Sequence, residues 1–163
     1  MIKGLEIYNG PSNINGEDIV AIATGMDGKS KNPKTGSMIQ IYILNADDNP
    51  VESVSFGTDD SICGNCKQRG KGCYVNTGQG PFCVYRAWKA GTYTKAKQEH
   101  LKLFKDRFVR WGAYGEPIAL GYDLLETINN VAAGWTSYTH GWEYCDPKFQ
   151  KYCMASVDSE QEY

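Results

Sequence analysis

Residues 109–140 read VRWGAYGEPIALGYDLLETINNVAAGWTSYTH, and this stretch decides the predicted fold. Residues 109–112 predict a short strand that runs into a glycine-rich turn. Apolar residues recur at helical spacing over residues 122–133, and Gly134 is predicted as the C-cap of that helix. Residues 135–140 predict a second strand. The order strand, helix, strand is typical of a βαβ unit, whose two strands lie parallel in one sheet.

The same pattern continues to residue 158, with a further short strand predicted at residues 154–157. Alternating strands and helices build a parallel sheet, and such folds place their sites at the carboxyl edge of the strands. The sequence therefore predicts an α/β fold with a partial (βα) barrel-like parallel sheet. A length of 163 residues fits a single domain, residues 1–163, in which residues 109–158 supply the βαβ units.

The rest of the chain is predicted from shorter patterns. Residues 1–36 are rich in Gly, Asn, Ser and Pro, and we expect an irregular N-terminal segment there. Within it, residues 18–23 predict a strand or the start of a helix, and residues 28–36 predict a basic loop. Residues 57–81 form a glycine-rich cysteine loop without periodicity. The remaining predicted elements are strands at 38–44 and 51–56 and helices at 84–89 and 95–108.

Composition and charge exclude several classes of protein. Hydrophobic residues make up 41% of the chain, which is too many for a disordered protein. The net charge of -2 argues against a nucleic-acid binder that relies on overall charge. No apolar run approaches the roughly 20 residues of a membrane helix, so no membrane partner is expected. The N-terminus has no apolar leader, and we expect a cytoplasmic protein.

Three of the six cysteines form a C-x2-C-x6-C loop at Cys63, Cys66 and Cys73. Without an export signal, such clustering favours a metal centre over a disulfide framework. The spacing alone leaves zinc and a [4Fe-4S] cluster open, because three thiolates suit a cluster with one open iron or a zinc ion with a fourth ligand. The candidate fourth ligands for zinc are Cys83, His100, His140 and Cys145. The pair Cys145 and Cys153 also fits ordinary core thiols, and His100 is expected to be solvated.

Two further segments carry candidate chemistry. The turn from Gly112 to Pro117 exposes backbone N–H groups and the carboxylate of Glu116, which suits an amino group or a ribose; a tight turn with a solvated glutamate is the alternative. His140 follows the second predicted strand and is a candidate ligand, acid–base group or substrate contact, or else a hydrogen-bonded structural residue. We expect Glu116 and His140 to face one pocket beside the cysteine loop. Residues 30–36 suit a phosphate or a solvated loop, and they lack the Walker A pattern.

Several motifs in order give the chain a family resemblance. They are Asn32-Pro33-Lys34-Thr35-Gly36, Ser61-Ile62-Cys63-Gly64-Asn65-Cys66, Cys73-Tyr74-Val75-Asn76, Arg110-Trp111-Gly112-Ala113-Tyr114-Gly115-Glu116-Pro117, Tyr138-Thr139-His140-Gly141-Trp142 and Met154-Ala155-Ser156-Val157-Asp158. The chain resembles a family of bacteriophage and prophage proteins and is more distantly similar to the phage gene-product-eighty-eight family. This resemblance implies a phage-encoded protein that acts in the infected bacterial cell.

A weaker resemblance is to radical S-adenosylmethionine enzymes. It implies that Cys63, Cys66 and Cys73 hold a [4Fe-4S] cluster. It also implies that the segment carrying Gly112, Gly115, Glu116 and Pro117 binds S-adenosylmethionine, with Glu116 at its amino group, and that His140 contacts cofactor or substrate as a catalytic residue. The cysteine spacing departs from the C-x3-C-x2-C of that family, and the chain is short for its six-stranded partial barrel. An intact, shortened or degenerate relative is therefore expected.

Three functions follow as expectations. The first is an iron–sulfur protein related to radical S-adenosylmethionine enzymes, acting on an unknown substrate. The second is a small zinc-binding phage protein that binds a host or phage macromolecule, for example a defence inhibitor. The third, a nucleic-acid accessory protein using the basic residues at 29–34, is the least supported because the overall charge is balanced. Whether the chain is an enzyme is left open by the sequence.

Overall fold

The structure, a computed structural model, describes residues 2–28 and 33–162. The strands are β1 (Gly4–Pro11), β2 (Asp18–Thr24), β3 (Ile39–Asn45), β4 (Thr94–Lys95), β5 (Phe108–Tyr114), β6 (Gly134–Thr136), β7 (Tyr138–Thr139) and β8 (Met154–Ala155). The α-helices are α1 (Pro50–Phe56), α2 (Asp60–Cys63), α3 (Gly80–Lys89) and α4 (Tyr122–Asn129). Short 3₁₀ helices cover Gln98–Phe104, Pro117–Ala119, Pro147–Lys151 and Glu160–Glu162.

Six strands form one mixed sheet in the order β4-β1-β2-β3-β5-β6. The β1–β2 and β2–β3 pairings are antiparallel, whereas β1–β4, β3–β5 and β5–β6 are parallel. Strands β7 and β8 form a separate parallel pair. The α/β class with a mostly parallel sheet is thus confirmed, and the described strands form an open sheet that ends at β4 and β6, with no closed barrel among them.

The predicted βαβ unit is present as β5, α4 and β6. Strands β5 and β6 are parallel neighbours, with Val109 opposite Trp135. The helix is shorter than predicted, because it ends at Asn129 with Asn130 as its C-cap, and Gly134 begins β6 instead of capping the helix. The predicted strand at 135–140 is divided into β6 and β7 at Ser137, whose hydroxyl is buried beside the Cys153 thiol, 3.0 Å away.

The prediction of an irregular N-terminal segment at residues 1–36 was wrong. Strands β1 and β2 form an antiparallel hairpin there, and the apolar run at residues 18–23 is the buried strand β2. The glycines and asparagine of β1 are tolerated because β1 lies toward the edge of the sheet. Its neighbour on the outer side is only the two-residue strand β4. Of the predicted basic loop at 28–36, residues 29–32 lie outside the described residues.

Residues 51–56 form helix α1 and not the predicted strand. The side chain of Asn49 accepts hydrogen bonds from the backbone N–H groups of Val51 and Glu52, both at 3.1 Å, and Pro50 occupies the first helical turn. This N-cap with its proline outweighs the β preference of the two valines. The cysteine loop at 57–81 likewise contains α2. The prediction of a helix at 95–108 was also wrong, because only a 3₁₀ helix forms there before β5 begins at Phe108.

The other predicted elements are present with changed bounds. The strand at 38–44 is β3, the helix at 84–89 lies within α3, and the strand at 154–157 is reduced to β8. The hydrophobic core lies between the sheet and its helices and is built mainly from fully buried aliphatic side chains of β2 and β3. No helix in the described ranges is long and apolar enough to cross a membrane.

Candidate metal centre and its pocket

A cavity of about 370 Å³ opens where β5 ends. It is lined by most of the residues that the sequence singled out: Cys63, Cys66, Cys73, Gly112, Gly115, Glu116 and His140. Pro117 does not line it, since this residue is buried and begins the 3₁₀ helix that follows. The expectation that Glu116 and His140 face one pocket beside the cysteine loop therefore agrees with the structure, while their chemical roles stay predictions.

The turn after β5 owes its shape to a bulge. Gln40 and Tyr42 of β3 stand opposite Arg110 and Tyr114, so an advance of two residues along β3 matches an advance of four along β5. Gly112 lies in the bulge with a φ of 65°, where a Cβ atom would come within 2.7 Å of the carbonyl oxygen of Gly115. A larger residue at position 112 is therefore excluded, and the glycine serves the backbone turn that presents Glu116.

Short backbone contacts hold the cysteine loop against this turn. The backbone N–H of Glu116 donates to the carbonyl oxygen of Ile62 in α2, at 2.7 Å. One residue earlier, the carbonyl oxygen of Ser61 accepts a hydrogen bond from the hydroxyl of Ser12, at 2.5 Å. Helix α2 is thereby fixed to both the β5 turn and the first hairpin, and Cys63 at its end is fixed with it.

Arg69 makes four hydrogen bonds within the cysteine loop, and no sequence pattern identified it. Its Nε and Nη2 atoms donate to the two carboxylate oxygens of Asp59, at 3.1 and 2.6 Å. The same guanidinium donates to the carbonyl oxygens of Gly64 and Gly57, at 2.8 and 2.9 Å. Asp59 is buried, so this two-pronged ion pair supplies the charge partner that a buried carboxylate requires.

Glu116 and His140 are joined directly. The imidazole Nδ1 of His140 lies 3.0 Å from Oε1 of Glu116, and the backbone N–H of His140 donates to both carboxylate oxygens at 3.2 and 3.1 Å. An ionised carboxylate only accepts hydrogen bonds, so the tautomer with hydrogen on Nδ1 fits this pair. Nε2 then faces the hydroxyl of Ser156 at 3.1 Å, with Asp158 Oδ1 at 3.9 Å.

One group of three donor atoms is compact enough for a single metal ion. The ligand atoms of Cys66, Glu116 and His140 all lie within 4.8 Å of one another. Cys63 and Cys73 line the same cavity without belonging to such a group in the described part of the chain. Sulfur, nitrogen and oxygen donors together are typical of zinc.

Burial controls the protonation of the two inner thiols. It raises the pKa of Cys63 well above its usual value, and the negative charges of Asp59 and Glu116 raise it further. Burial also raises the pKa of Cys66, but less strongly. A hydrogen bond with the backbone of Gln68 lowers this pKa and offsets part of the effect. These thiols are therefore protonated at neutral pH in the absence of metal, and a metal that binds them must displace their protons.

The other candidate zinc ligands lie away from the cavity. Cys83 is exposed on α3, and Cys145 is half-buried with its sulfur 3.9 Å from the carbonyl oxygen of Trp142. His100 was expected to be solvated, and this was wrong: only 13% of its side chain is exposed, and its Nδ1 accepts from the backbone N–H of Lys97 at 3.0 Å. Of the four candidates, only His140 lines the cavity with the three cysteines.

Two further polar side chains of β5 line the cavity and were not identified from the sequence. The hydroxyl of Tyr114 is buried, and no hydrogen-bond partner for it exists among the described residues. Arg110 is half-buried, and its Nη2 atom donates to the hydroxyl of Tyr74 at 2.9 Å. Strand alternation places Arg110 and Tyr114 on one face, but whether that face borders a cavity depends on segments distant in sequence.

Comparison of the chain with protein-family models, with curated proteins and with solved structures found no match.

Proposed function

We propose that this chain is a phage-encoded metalloprotein in which Cys63, Cys66 and Cys73 bind an iron–sulfur cluster. In this proposal the protein is a relative, intact or degenerate, of radical S-adenosylmethionine enzymes, and it is shorter than their six-stranded partial barrel. It acts in the cytoplasm of the infected bacterial cell. The observation that carries the proposal is the single cavity that the three thiols share with Glu116 and His140.

The separation of the thiols supports a cluster over one ion bound by all three. On a cluster, each thiolate binds a different iron, so the sulfur atoms stand further apart than they do around a single ion. In the described chain the three thiols line one cavity without all lying within 4.8 Å of one another. When bound, a cluster held by three thiolates supplies one-electron chemistry and leaves one iron open to a small ligand.

Glu116 is the residue proposed to bind the amino group of S-adenosylmethionine. Its carboxylate is buried beside the cysteine loop, and His140 fixes its orientation through two hydrogen-bond donors. A carboxylate oxygen accepts more than one hydrogen bond, so Oε2 retains capacity for an ammonium group. His140 positions Glu116 through Nδ1, and its Nε2, which faces the Ser156 hydroxyl at 3.1 Å, exchanges that partner for cofactor or substrate.

A zinc centre is the second candidate, and one specific observation favours it. Cys66, Glu116 and His140 form the compact donor group, and three protein ligands with an open fourth position are typical of zinc sites that bind water or substrate. In this reading the chain is a small zinc protein that binds a host or phage macromolecule, for example a defence inhibitor.

Metal analysis with a visible spectrum, after purification with and without oxygen, tests both candidates. For the cluster we expect a brown protein with absorption near ~400 nm from sulfur-to-iron charge transfer. Cys63→Ser, Cys66→Ser and Cys73→Ser should each lose iron. Cys83→Ser is the matched control, because Cys83 is exposed and lies outside the cavity. If all three cavity variants keep wild-type metal content, the proposal is wrong.

Two variants separate the candidates. For the mixed-donor zinc site, His140→Ala should lose zinc while Cys73→Ser keeps it. For the cluster, Cys73→Ser should lose iron, whereas His140→Ala keeps it. A colourless protein with one zinc ion that depends on His140 would replace the first candidate with the second.

A further inference from the structure

The cavity has a second polar part, away from the metal donors, where Arg110 lies. Arg110 is half-buried on β5 and lines the cavity. In the described ranges its guanidinium donates to the hydroxyl of Tyr74, and no carboxylate lies within ion-pair distance of it. Most of its five N–H donors therefore have no acceptor among the described residues.

The two other half-buried arginines, Arg69 and Arg107, have several protein acceptors for their guanidinium groups. Arg69 binds the carboxylate of Asp59 and two backbone carbonyl groups. Arg107 donates to the backbone carbonyl oxygens of Gly25 and Ser37, at 2.9 and 2.5 Å. A half-buried guanidinium without such partners is the kind of group that binds an incoming carboxylate or phosphate in two-pronged fashion.

Glu116 is the acidic residue that lines the cavity, and its carboxylate does not pair with the guanidinium of Arg110. Glu116 is engaged by the ring and the backbone N–H of His140. Beside Arg110, the strand pairing places Thr136 of β6 directly opposite, and the Thr136 side chain also lines the cavity. A guanidinium with a neighbouring hydroxyl is suited to an anionic oxygen group.

Two exposed tyrosine residues also line the cavity. Tyr74 and Tyr138 are 80% and 56% exposed, and the hydroxyl of Tyr74 accepts the hydrogen bond from Arg110. Exposed aromatic rings at the edge of a cavity offer flat surfaces for stacking with a planar ligand.

We propose that the cavity binds a small ligand with a carboxylate or phosphate group at Arg110 and a planar ring against Tyr74 and Tyr138. This ligand is the substrate class of the proposed function, because its anionic group binds in the same cavity as the metal donors. The anion contact itself requires Arg110 and not the metal, so the two proposals fail separately.

Calorimetry with simple probes tests the ligand class on the protein as purified. The probes are benzoate and phenyl phosphate, which distinguish the two anionic groups, with neutral benzamide for comparison. We expect at least one anion to bind and benzamide to bind about tenfold more weakly or worse, as expected for loss of a charge-assisted contact. Acetate and inorganic phosphate, which lack the ring, should bind more weakly than their aromatic counterparts.

Substitutions at Arg110 form the second part of this calorimetric test. Arg110→Gln should weaken the bound anion at least about tenfold and leave benzamide unchanged, and Arg110→Lys should fall between the two. Arg86→Gln, at an exposed position of α3 outside the cavity, is the matched control. Thermal unfolding of each variant verifies that it is folded.

Three results would overturn the inference: no anion binds the wild type, benzamide binds as tightly as benzoate, or Arg110→Gln binds the anion like the wild type. Equal binding of acetate and benzoate would overturn the role of the tyrosine rings. Metal content is measured on the same samples. Anion binding through Arg110 in a protein that holds no metal even after oxygen-free purification and reconstitution would refute the proposed metal centre alone, and metal without anion binding would refute this inference alone.

Discussion

His140 Nδ1 lies 3.0 Å from the carboxylate of Glu116, and the backbone N–H of His140 donates to that same carboxylate. The two residues come from different segments, the turn after β5 and the end of β7. Because Glu116 is also joined through its backbone to Ile62 of α2, this pair connects the cysteine loop with the far side of the cavity. A change at Glu116 therefore acts on ligand binding and on His140 together.

Glu116→Ala should weaken the binding of S-adenosylmethionine to the cluster-reconstituted protein. Loss of a carboxylate–ammonium contact in a partly dry cavity costs about 1.5–3 kcal/mol, roughly a ten- to hundredfold loss in affinity. Calorimetry measures this effect. Glu116→Gln retains an acceptor for the backbone N–H of His140 and removes the charge, so it should lose most of the affinity while keeping His140 in place.

The outcomes for Glu116 are separable. If the wild type binds no S-adenosylmethionine, the proposal of this cofactor is wrong and the zinc centre becomes the favoured candidate. If the wild type and both variants bind equally, the cofactor survives and Glu116 is not its contact.

The predicted shared pocket of Glu116 and His140 agrees with the structure, but the route to it differs from the prediction. Strands β5 and β6 are the predicted parallel neighbours, and Glu116 follows β5. Strand β6 ends at Thr136, so His140 follows β7, which pairs with β8 outside the six-stranded sheet. The cysteine spacing likewise identified a loop that lines this pocket.

The sequence failed where distant residues decide the outcome. Arg69 is one of many basic residues until Asp59 is seen to be buried beside it. Arg110 and Tyr114 lie four residues apart on one face of β5, but the cavity that they line is completed by segments distant in sequence. The prediction of a strand at residues 51–56 is wrong because the cap at Asn49 favours a helix.

Arg69→Ala should destabilise the protein and reduce its metal content. Removal of one partner leaves the buried carboxylate of Asp59 unpaired, and such losses cost about 3–5 kcal/mol when both partners are buried. Arg69 is 25% exposed, so we expect about 2–3 kcal/mol in urea unfolding. Arg86→Ala, at an exposed position, should change the free energy of unfolding by less than about 1 kcal/mol.

A double variant tests whether the ion pair is the cause. Asp59→Ala combined with Arg69→Ala removes both charges, so it should be less destabilising than the sum of the single substitutions. Strict additivity would show that Arg69 acts through the backbone carbonyl groups of Gly57 and Gly64 instead.

Tyr114→Phe should stabilise the metal-free protein. The hydroxyl of Tyr114 is buried without a partner in the described structure, and removing an unsatisfied polar group is favourable by about 1 kcal/mol. Tyr85→Phe is the matched control, because the Tyr85 hydroxyl donates to the carbonyl oxygen of Asp47 at 2.8 Å. It should lower the free energy of unfolding by about 1 kcal/mol. Effects of the same sign in urea unfolding would contradict the assignment.

Cys153 should contribute stability that is lost at alkaline pH. Burial raises the pKa of this thiol from 9.0 to about 11, against a hydrogen bond with Ser137 that lowers it. The folded state thus holds the proton more tightly than the unfolded chain. The contribution is fully present below pH 9 and is lost as the pH rises through about 11. The total loss of stability amounts to roughly 2–3 kcal/mol.

Comparison of the metal-free wild type with Cys153→Ala isolates this thiol from the other titrating groups. At pH 8 the variant should be less stable by about 1 kcal/mol, the packing cost of a small side chain. Between pH 9 and 11 its stability should fall less than that of the wild type, so the difference shrinks and then reverses, as urea unfolding at each pH measures. Val84→Ala, a buried substitution without an ionisable group, should keep a constant difference from the wild type across this range. A constant difference for Cys153→Ala as well would contradict the predicted role of its thiol.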